Sequence, residues 1–168
     1  MSRFVRESLV VLCIGAFAGA CAPEAPPEDG TATVQATLAS LGGEAPTVKV
    51  YRTPTCGCCM SWVEHMREAG FTVEVEDTNE IAAVKMEAGV PAQIQSCHTS
   101  FIGDYVFEGH VPASTIAKFL AEAPDAKGLA VPGMPVGSPG MEMGNRVDPY
   151  DVVAFDAQGR TAVYESRR

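Results

Sequence analysis

Three cysteines within four residues constrain this chain more than any other feature of its sequence. Cys56, Cys58 and Cys59 lie at one turn. An alternating stretch over 48–51 predicts a strand before them, and apolar spacing over 58–69 predicts a helix after them. Thiols this close together cannot staple distant segments, as structural disulfides usually do. A helix N-terminus stabilises thiolate, so the cluster indicates a metal or redox site.

The elements around this cluster predict an α/β fold. The pattern of apolar residues indicates the order strand, helix, strand, helix, hairpin, helix. These elements are expected at 47–51, 58–69, 71–75, 80–88, 99–108 and 112–123, and a second hairpin is expected over 151–165. A strand–helix–strand unit forms a parallel pair, and the first hairpin then adds two antiparallel strands. That order predicts a thioredoxin-like domain with an added Met/Gly/Pro loop and a C-terminal β-hairpin.

Composition divides the chain into three parts. Arg3, Arg6 and the short apolar run that follows identify 1–20 as a signal peptide, because the run is too short to span a bilayer. Residues 21–46 are rich in Ala, Pro, Glu, Thr and Gly and predict a flexible tether, with a short helix over 33–41 as the alternative. Residues 47–168 are then the thioredoxin-like metal-binding domain.

The junction at Cys21 fits two kinds of processing. Ala18 and Ala20 suit ordinary signal cleavage, whereas small residues directly before a cysteine suit a lipoprotein box with Cys21 acylated. Both alternatives predict an exported protein, and the second adds a lipid anchor.

The formal net charge of −9 bears on the choice of partner. An acidic chain repels phosphate backbones, which argues against nucleic acid as a partner. The same charge argues against electrostatic binding to an anionic membrane surface.

A fourth cysteine joins the site through the first hairpin. With the hairpin turn at 103–104, continued pairing sets Cys97 opposite His110 on one face of the sheet, with Cβ atoms roughly 4.5–5.5 Å apart. His98 is expected on the other face unless the strand starts after it. The alternative for His110 is a histidine of a surface loop.

Three methionines lie in the Gly/Pro-rich stretch 128–145, which predicts a loop. Thioether sulfur binds Cu(I), so Met134 and Met141 are candidate ligands, with Met143 beside them. The alternative is a loop laid over the core in which methionine fills gaps.

Copper is the metal that this set of residues favours. Cys58 is a third thiol that a plain oxidoreductase does not need, and soft thiolates select Cu(I). Neighbouring cysteines cannot all turn toward one tetrahedral ion without strain, so we expect them to bridge more than one copper ion. The predicted ligands are Cys56, Cys58, Cys59, Cys97, His110, Met134 and Met141. The alternatives are a thiol–disulfide oxidoreductase that uses Cys56 and Cys59, and a zinc site.

The nearby helical residues are expected to be structural. Trp62 and Met66 fall at core spacing on the helix over 58–69, and Met86 falls at core spacing on the next helix. His65 is expected to be a solvated histidine of the helix rather than a ligand.

Several motifs resemble the CopG-type copper-resistance proteins, a family long known only as a domain of unknown function. They are Thr53-Pro-Thr-Cys-Gly-Cys-Cys, Gly89-Val-Pro, Ser96-Cys-His-Thr, Glu108-Gly-His-Val-Pro and the run from Gly128 to Glu142. The match extends from about Val48 to about Val163. The resemblance implies a periplasmic thioredoxin-like protein that binds several copper ions through cysteine sulfur.

The same resemblance implies a role in copper tolerance, with a redox activity toward Cu(I)/Cu(II). It carries Cys56, Cys58, Cys59 and Cys97 over as thiolate ligands, followed by His110 and a loop methionine. The implied partners are copper ions and other periplasmic copper-handling proteins.

Overall fold

A computed structural model of the chain describes residues 30–42 and 45–168. Within these ranges the chain forms four α-helices, a 3₁₀ turn and one seven-stranded sheet. The helices are α1 (Thr31–Ser40), α2 (Gly57–Glu68), α3 (Ile81–Glu87) and α4 (Ala113–Glu122), and the 3₁₀ turn is Ala92–Ile94. The strands are β1 (Thr47–Arg52), β2 (Thr72–Asp77), β3 (Thr99–Ile102), β4 (Tyr105–Glu108), β5 (Gly128–Ala130), β6 (Tyr150–Phe155) and β7 (Thr161–Arg167).

The sheet is mixed, and its strands lie in the order β2-β1-β3-β4-β5-β6-β7. The pairs β1/β2 and β4/β5 are parallel, and the other pairs are antiparallel. The predicted α/β class is therefore confirmed. The turn between β1 and α2 and the start of β3 lie side by side, because β1 and β3 are neighbours.

Alternation along the strands builds a core on the first face of the sheet. Val48 and Val50 of β1 and Phe107 of β4 point to this face, and all three are fully buried. Helices α1, α2 and α4 contribute the other side of the same cluster, including Trp62 and Ile116. Large apolar side chains buried in this way supply most of the driving force for folding.

Of the two helical methionines predicted to lie in the core, Met66 and Met86, only the first is buried. Met66 is fully buried in the core of the first face. Met86 is instead 74% exposed, because α3 turns a different face toward the sheet. That face carries Lys85, which is buried. The prediction that Met86 belongs to the core is therefore wrong.

A smaller apolar cluster covers the opposite face of the sheet. Val106 and Phe155 contribute from the strands, and Val90 and Ile94 contribute from the segment after α3. Beside this cluster, Lys85 donates to the Glu108 carboxylate at 2.6 Å and to the Thr99 hydroxyl at 3.1 Å. Glu108 is wholly buried, so this ion pair lies inside the fold.

The stretch predicted as a loop over 128–145 begins with a strand. Gly128–Ala130 form β5, which pairs parallel with β4 and antiparallel with β6. Leu129, Ala130 and Val131 are fully buried, so this short apolar run outweighs the Gly/Pro signal around it. The C-terminal hairpin β6–β7 therefore continues the same sheet.

Part of the predicted tether is a helix that packs on the domain. In α1, Val34 and Leu38 are 4% and 6% exposed, and both belong to the core of the first face. The prediction of a flexible tether over 21–46 is thus wrong for Thr31–Ser40, where the alternative of a short helix is found. Val34 and Leu38 are four positions apart and therefore lie on the same face of α1, the face that packs on the domain.

The predicted signal peptide and Cys21 lie outside the described residues. None of the helices in 30–42 and 45–168 has the length and apolar character that a membrane span requires.

Candidate metal centre

Four cysteine sulfurs converge at the start of α2. The Sγ atoms of Cys56, Cys58, Cys59 and Cys97 all lie within 4.8 Å of one another. Cys56 and Cys59 are joined by a disulfide, and Cys58 and Cys97 are free thiols. Cys58 Sγ lies 3.4 Å from Cys56 Sγ. All four side chains could therefore serve one metal centre once the disulfide is reduced.

An arginine that the sequence analysis did not single out holds this turn. Nη1 of Arg52 donates to the carbonyl oxygens of Thr53, Pro54 and Cys56 at 3.1–3.4 Å. Its Nη2 pairs with Asp77 on β2 at 2.9 Å. The side chain of Arg52 is only 11% exposed. A planar guanidinium with several donors can bind three carbonyls and a carboxylate at once, which a lysine cannot do.

The first hairpin has the predicted register. Its pairs run from Thr99 opposite Glu108 to Ile102 opposite Tyr105, with the turn at 103–104. Just beyond the paired residues, Cys97 Sγ lies 2.9 Å from His110 Nε2. His110 is fully buried, which excludes the alternative of an exposed loop histidine.

His98 belongs to the same centre, although the sequence analysis did not include it as a ligand. Strand β3 begins at Thr99, so strand alternation does not decide where His98 points. Its Nδ1 lies 3.3 Å from Cys97 Sγ, and its ring centroid lies 4.5 Å from that of Trp62. Its Nε2 is buried without a hydrogen-bond partner. Ligand atoms of Cys97, His98 and His110 lie within 4.8 Å of one another and form a second group that shares Cys97.

Burial keeps these groups uncharged. It raises the pKa of the Cys97 thiol to about 12, with the neighbouring Cys58 adding to the effect. Burial also lowers the pKa of His110, and it lowers that of His98 well below the ordinary value. Neutral imidazole is the form that binds metal, whereas a thiol must lose its proton. A metal bound by Cys97 would therefore displace a proton into solvent.

The buried ion pair of Lys85 and Glu108 is linked to the candidate metal centre by a hydrogen bond to the main chain. The backbone N–H of Ser96 donates to the Glu108 carboxylate at 2.6 Å. The same carboxylate accepts from Lys85 and from the Thr99 hydroxyl. Glu108 thus holds the residue directly before Cys97, which ties the position of Cys97 to the packing of α3.

The Met/Gly/Pro loop lies against the centre. The ring nitrogen Nδ1 of His110 hydrogen-bonds the Pro139 carbonyl oxygen at 2.7 Å. Met134 is 52% exposed, and Met141 is half-buried. Their role as ligands stays a prediction.

His65 belongs to neither group of ligand atoms, but it is half-buried and has a structural partner, so the prediction of a solvated histidine is wrong. Its Nε2 accepts a hydrogen bond from the Ala113 backbone N–H, the first residue of α4, at 3.1 Å. The first backbone N–H groups of a helix have no partner within the helix, so His65 acts as a cap for α4. Burial lowers its pKa from the ordinary 6.5, which favours the neutral imidazole that can accept this bond.

We expect His65→Ala to leave the copper stoichiometry unchanged and to cost about 0.5–1.5 kcal/mol of stability, since Ala113 loses its acceptor. Metal analysis and denaturant unfolding check the two parts. His65→Gln is the control, because its amide oxygen can accept the same bond. Loss of copper in His65→Ala with little loss of stability would contradict the capping role.

The stability that His65 provides should depend on pH. Because its folded pKa is lowered, its contribution is fully present above 6.5 and is lost as the pH falls below that value. The unfolding free energy of the metal-free protein should therefore fall less on acidification in His65→Gln than in the natural chain. Equal losses would contradict this prediction.

The fold and the site define an α/β protein with a sulfur-rich candidate metal centre. Two solved structures resemble it over 74% of its length. One, described as copper resistance protein copG, Form 2, is 44% identical, is covered completely and gives a TM-score of 0.72. The other, Form 1 of copper resistance protein copG, is 45% identical, is covered to 98% and gives a TM-score of 0.71.

The chain therefore belongs to the CopG family of copper resistance proteins. A family model described as a protein of unknown function, DUF411, matches residues 94–141, which include Cys97, His110 and the greater part of the loop. No curated protein is significantly similar to the chain.

Proposed function

We propose that this protein binds copper as its cargo through the thiolates of Cys56, Cys58, Cys59 and Cys97. The observation that carries the proposal is the convergence of four sulfurs within 4.8 Å of one another. Thiolate sulfur is the ligand that Cu(I) prefers. The solved relatives are copper resistance proteins, which supports copper over other soft metals.

The shared position of Cys97 supports a centre with more than one copper ion. Cys97 belongs both to the four-sulfur group and to the group with His98 and His110. A thiolate has several lone pairs and can bridge two ions, so one chain can hold a sulfur-bound ion and a second ion with nitrogen ligands. The position of His98 Nδ1, 3.3 Å from Cys97 Sγ, supports this, because an imidazole nitrogen that is neutral can bind an ion beside the shared thiolate.

The setting of this centre supports a role in copper resistance. The strand order and the placement of Cys56, Cys58 and Cys59 at the start of α2 support a thioredoxin-like domain that uses its active-site turn to bind metal. The protein would act in the periplasm, where it is either free or anchored by a lipid on Cys21. Met134 and Met141 remain candidate ligands at the edge of the centre.

Anaerobic reconstitution of the reduced protein with Cu(I) tests the proposal. We expect more than one copper ion per chain by elemental analysis, and we expect the thiols of Cys56, Cys58, Cys59 and Cys97 to be protected from alkylation. The metal-free reduced protein is the control, in which these thiols should react. If the protein retains no tightly bound copper and the thiols of Cys56 and Cys59 still react with the alkylating reagent, the proposal is refuted.

The disulfide between Cys56 and Cys59 favours a second function, thiol–disulfide exchange. Formation of this disulfide from two thiolates releases two electrons, which could reduce a protein disulfide or two Cu(II) ions. Turnover of insulin disulfides by metal-free protein would support exchange. Release of two Cu(I) ions per disulfide formed would instead support copper reduction.

A further inference from the structure

The Met/Gly/Pro loop reaches both sides of the candidate metal centre. Near the start of the loop, the Gly133 carbonyl oxygen accepts a hydrogen bond from the hydroxyl of Ser96, the residue directly before Cys97. Further along, Pro139 contacts His110, and Gly140 lies against the first turns of α2. The loop is thus fixed at two points that flank the cysteines.

The contact with Pro139 decides which nitrogen of His110 carries the proton. A carbonyl oxygen can only accept, so Nδ1 of neutral His110 must be protonated to make the 2.7 Å bond to Pro139. Nε2 then carries the lone pair and lies 2.9 Å from Cys97 Sγ. A partner on the far side of an imidazole ring commonly selects the nitrogen that binds metal.

The geometry at Gly140 shows that only glycine fits where the loop meets α2. Its φ of +82° is a conformation that other residues rarely adopt. A Cβ at this position would lie 2.6 Å from the Trp62 backbone nitrogen and 2.8 Å from the Cys58 carbonyl oxygen. Both neighbours are main-chain atoms of α2 and cannot move aside easily. Any larger residue must lift this part of the loop.

We infer that Pro139–Gly140 is a positioning element that holds His110 in the tautomer whose Nε2 faces the centre, ready to bind metal. Glycine at 140 lets the loop lie close enough for the Pro139 carbonyl to reach His110. Pro139 and Gly140 then act on the metal through His110 and do not ligate it themselves. The inference rests on the proposed function in one respect, the assignment of His110 as a ligand.

Coupling between loop and metal follows from this arrangement. If the closed loop raises the affinity of the centre for copper, copper must favour the closed loop by the same factor. Copper should therefore slow amide hydrogen exchange at Gly137 and Met141, whose N–H groups donate within the loop to the carbonyl oxygens of Met141 at 2.9 Å and of Ser138 at 2.8 Å, respectively.

The test compares Gly140→Ala with Gly144→Ala in the full mature chain. Gly144 has a similar φ of +61°, but a Cβ there meets nothing within 4 Å, so this control has the backbone strain without the clash. Long-range ¹H–¹⁵N spectra of the metal-free protein report the tautomer of His110. A competition titration with a Cu(I) chelator reports the affinity, with the expected loss about 10–100-fold in Gly140→Ala alone.

The outcomes separate this inference from the proposed function. A changed tautomer with weaker copper binding in Gly140→Ala, and neither change in Gly144→Ala, would support the inference. An unchanged tautomer and affinity would overturn it and leave copper binding intact. If the natural chain binds no copper, the proposed function fails, while the tautomer spectra still test the loop. If Gly140→Ala does not fold, a protonated Nε2 on His110 in the natural chain would overturn the inference.

Discussion

Replacement of Cys97 by serine is expected to remove at least one copper ion per chain from the reconstituted protein. Cys97 is the residue common to the four-sulfur group and to the group with His98 and His110. A serine hydroxyl is a poor ligand for Cu(I), so the variant lacks the bridge between the two groups. Elemental analysis after anaerobic reconstitution measures the loss, and X-ray absorption at the copper edge shows whether nitrogen ligands disappear with it.

Cys58→Ser is the matched control for this prediction. Cys58 belongs to the four-sulfur group alone. Its replacement should weaken sulfur ligation but leave the nitrogen signal of the imidazoles. Both cysteines are half-buried free thiols, so the two variants perturb folding to a similar extent. A Cys97→Ser variant with its full complement of copper would exclude Cys97 from the site.

Lys85→Met should destabilise the protein by about 3–5 kcal/mol, which is a large share of the stability of a small domain. The side chains of Lys85 and Glu108 are 6% and 0% exposed, so removal of the ammonium leaves a carboxylate buried without its counter-charge. The apolar part of methionine fills a similar space, which limits any loss from packing. Chemical denaturation of the metal-free protein measures the effect.

Lys118→Met is the control for the buried pair. Lys118 also pairs with a glutamate, Glu122, at 3.9 Å, but both side chains are about half exposed. Its loss should cost about 0–1 kcal/mol. Glu108→Gln added to Lys85→Met should recover part of the stability, because the amide oxygen still accepts from Ser96 without carrying a charge. A cost for Lys85→Met as small as that of the control would contradict the prediction.

The parts of the fold that local patterns determine could be predicted from the sequence. The Gly103-Asp104 turn sets the hairpin register by itself, and from that register the contact between Cys97 and His110 follows. Cys56, Cys58 and Cys59 are close in sequence, so they could be placed together without knowledge of the fold.

The remaining parts depend on contacts between distant segments. Glu108 and Lys85 form a pair only because α3 packs on the sheet beside β4, and no spacing in the sequence indicates this. His98 lies one residue before a strand, where alternation does not hold. Strand β5 has three residues, too few for any period, and its pairing with β4 and β6 decides its conformation.

The packing of α1 on the domain would limit the distance between the candidate metal centre and a membrane in a lipid-anchored form of the protein. If Cys21 is acylated, residues 22–30 are the whole length of chain between the lipid and α1, which Val34 and Leu38 attach to the domain. A chain of that length can span at most on the order of 30 Å, whereas the whole stretch 22–46 could span at most roughly 85 Å if α1 were not packed on the domain. Partners that exchange copper with an anchored protein would then have to meet it near the bilayer surface.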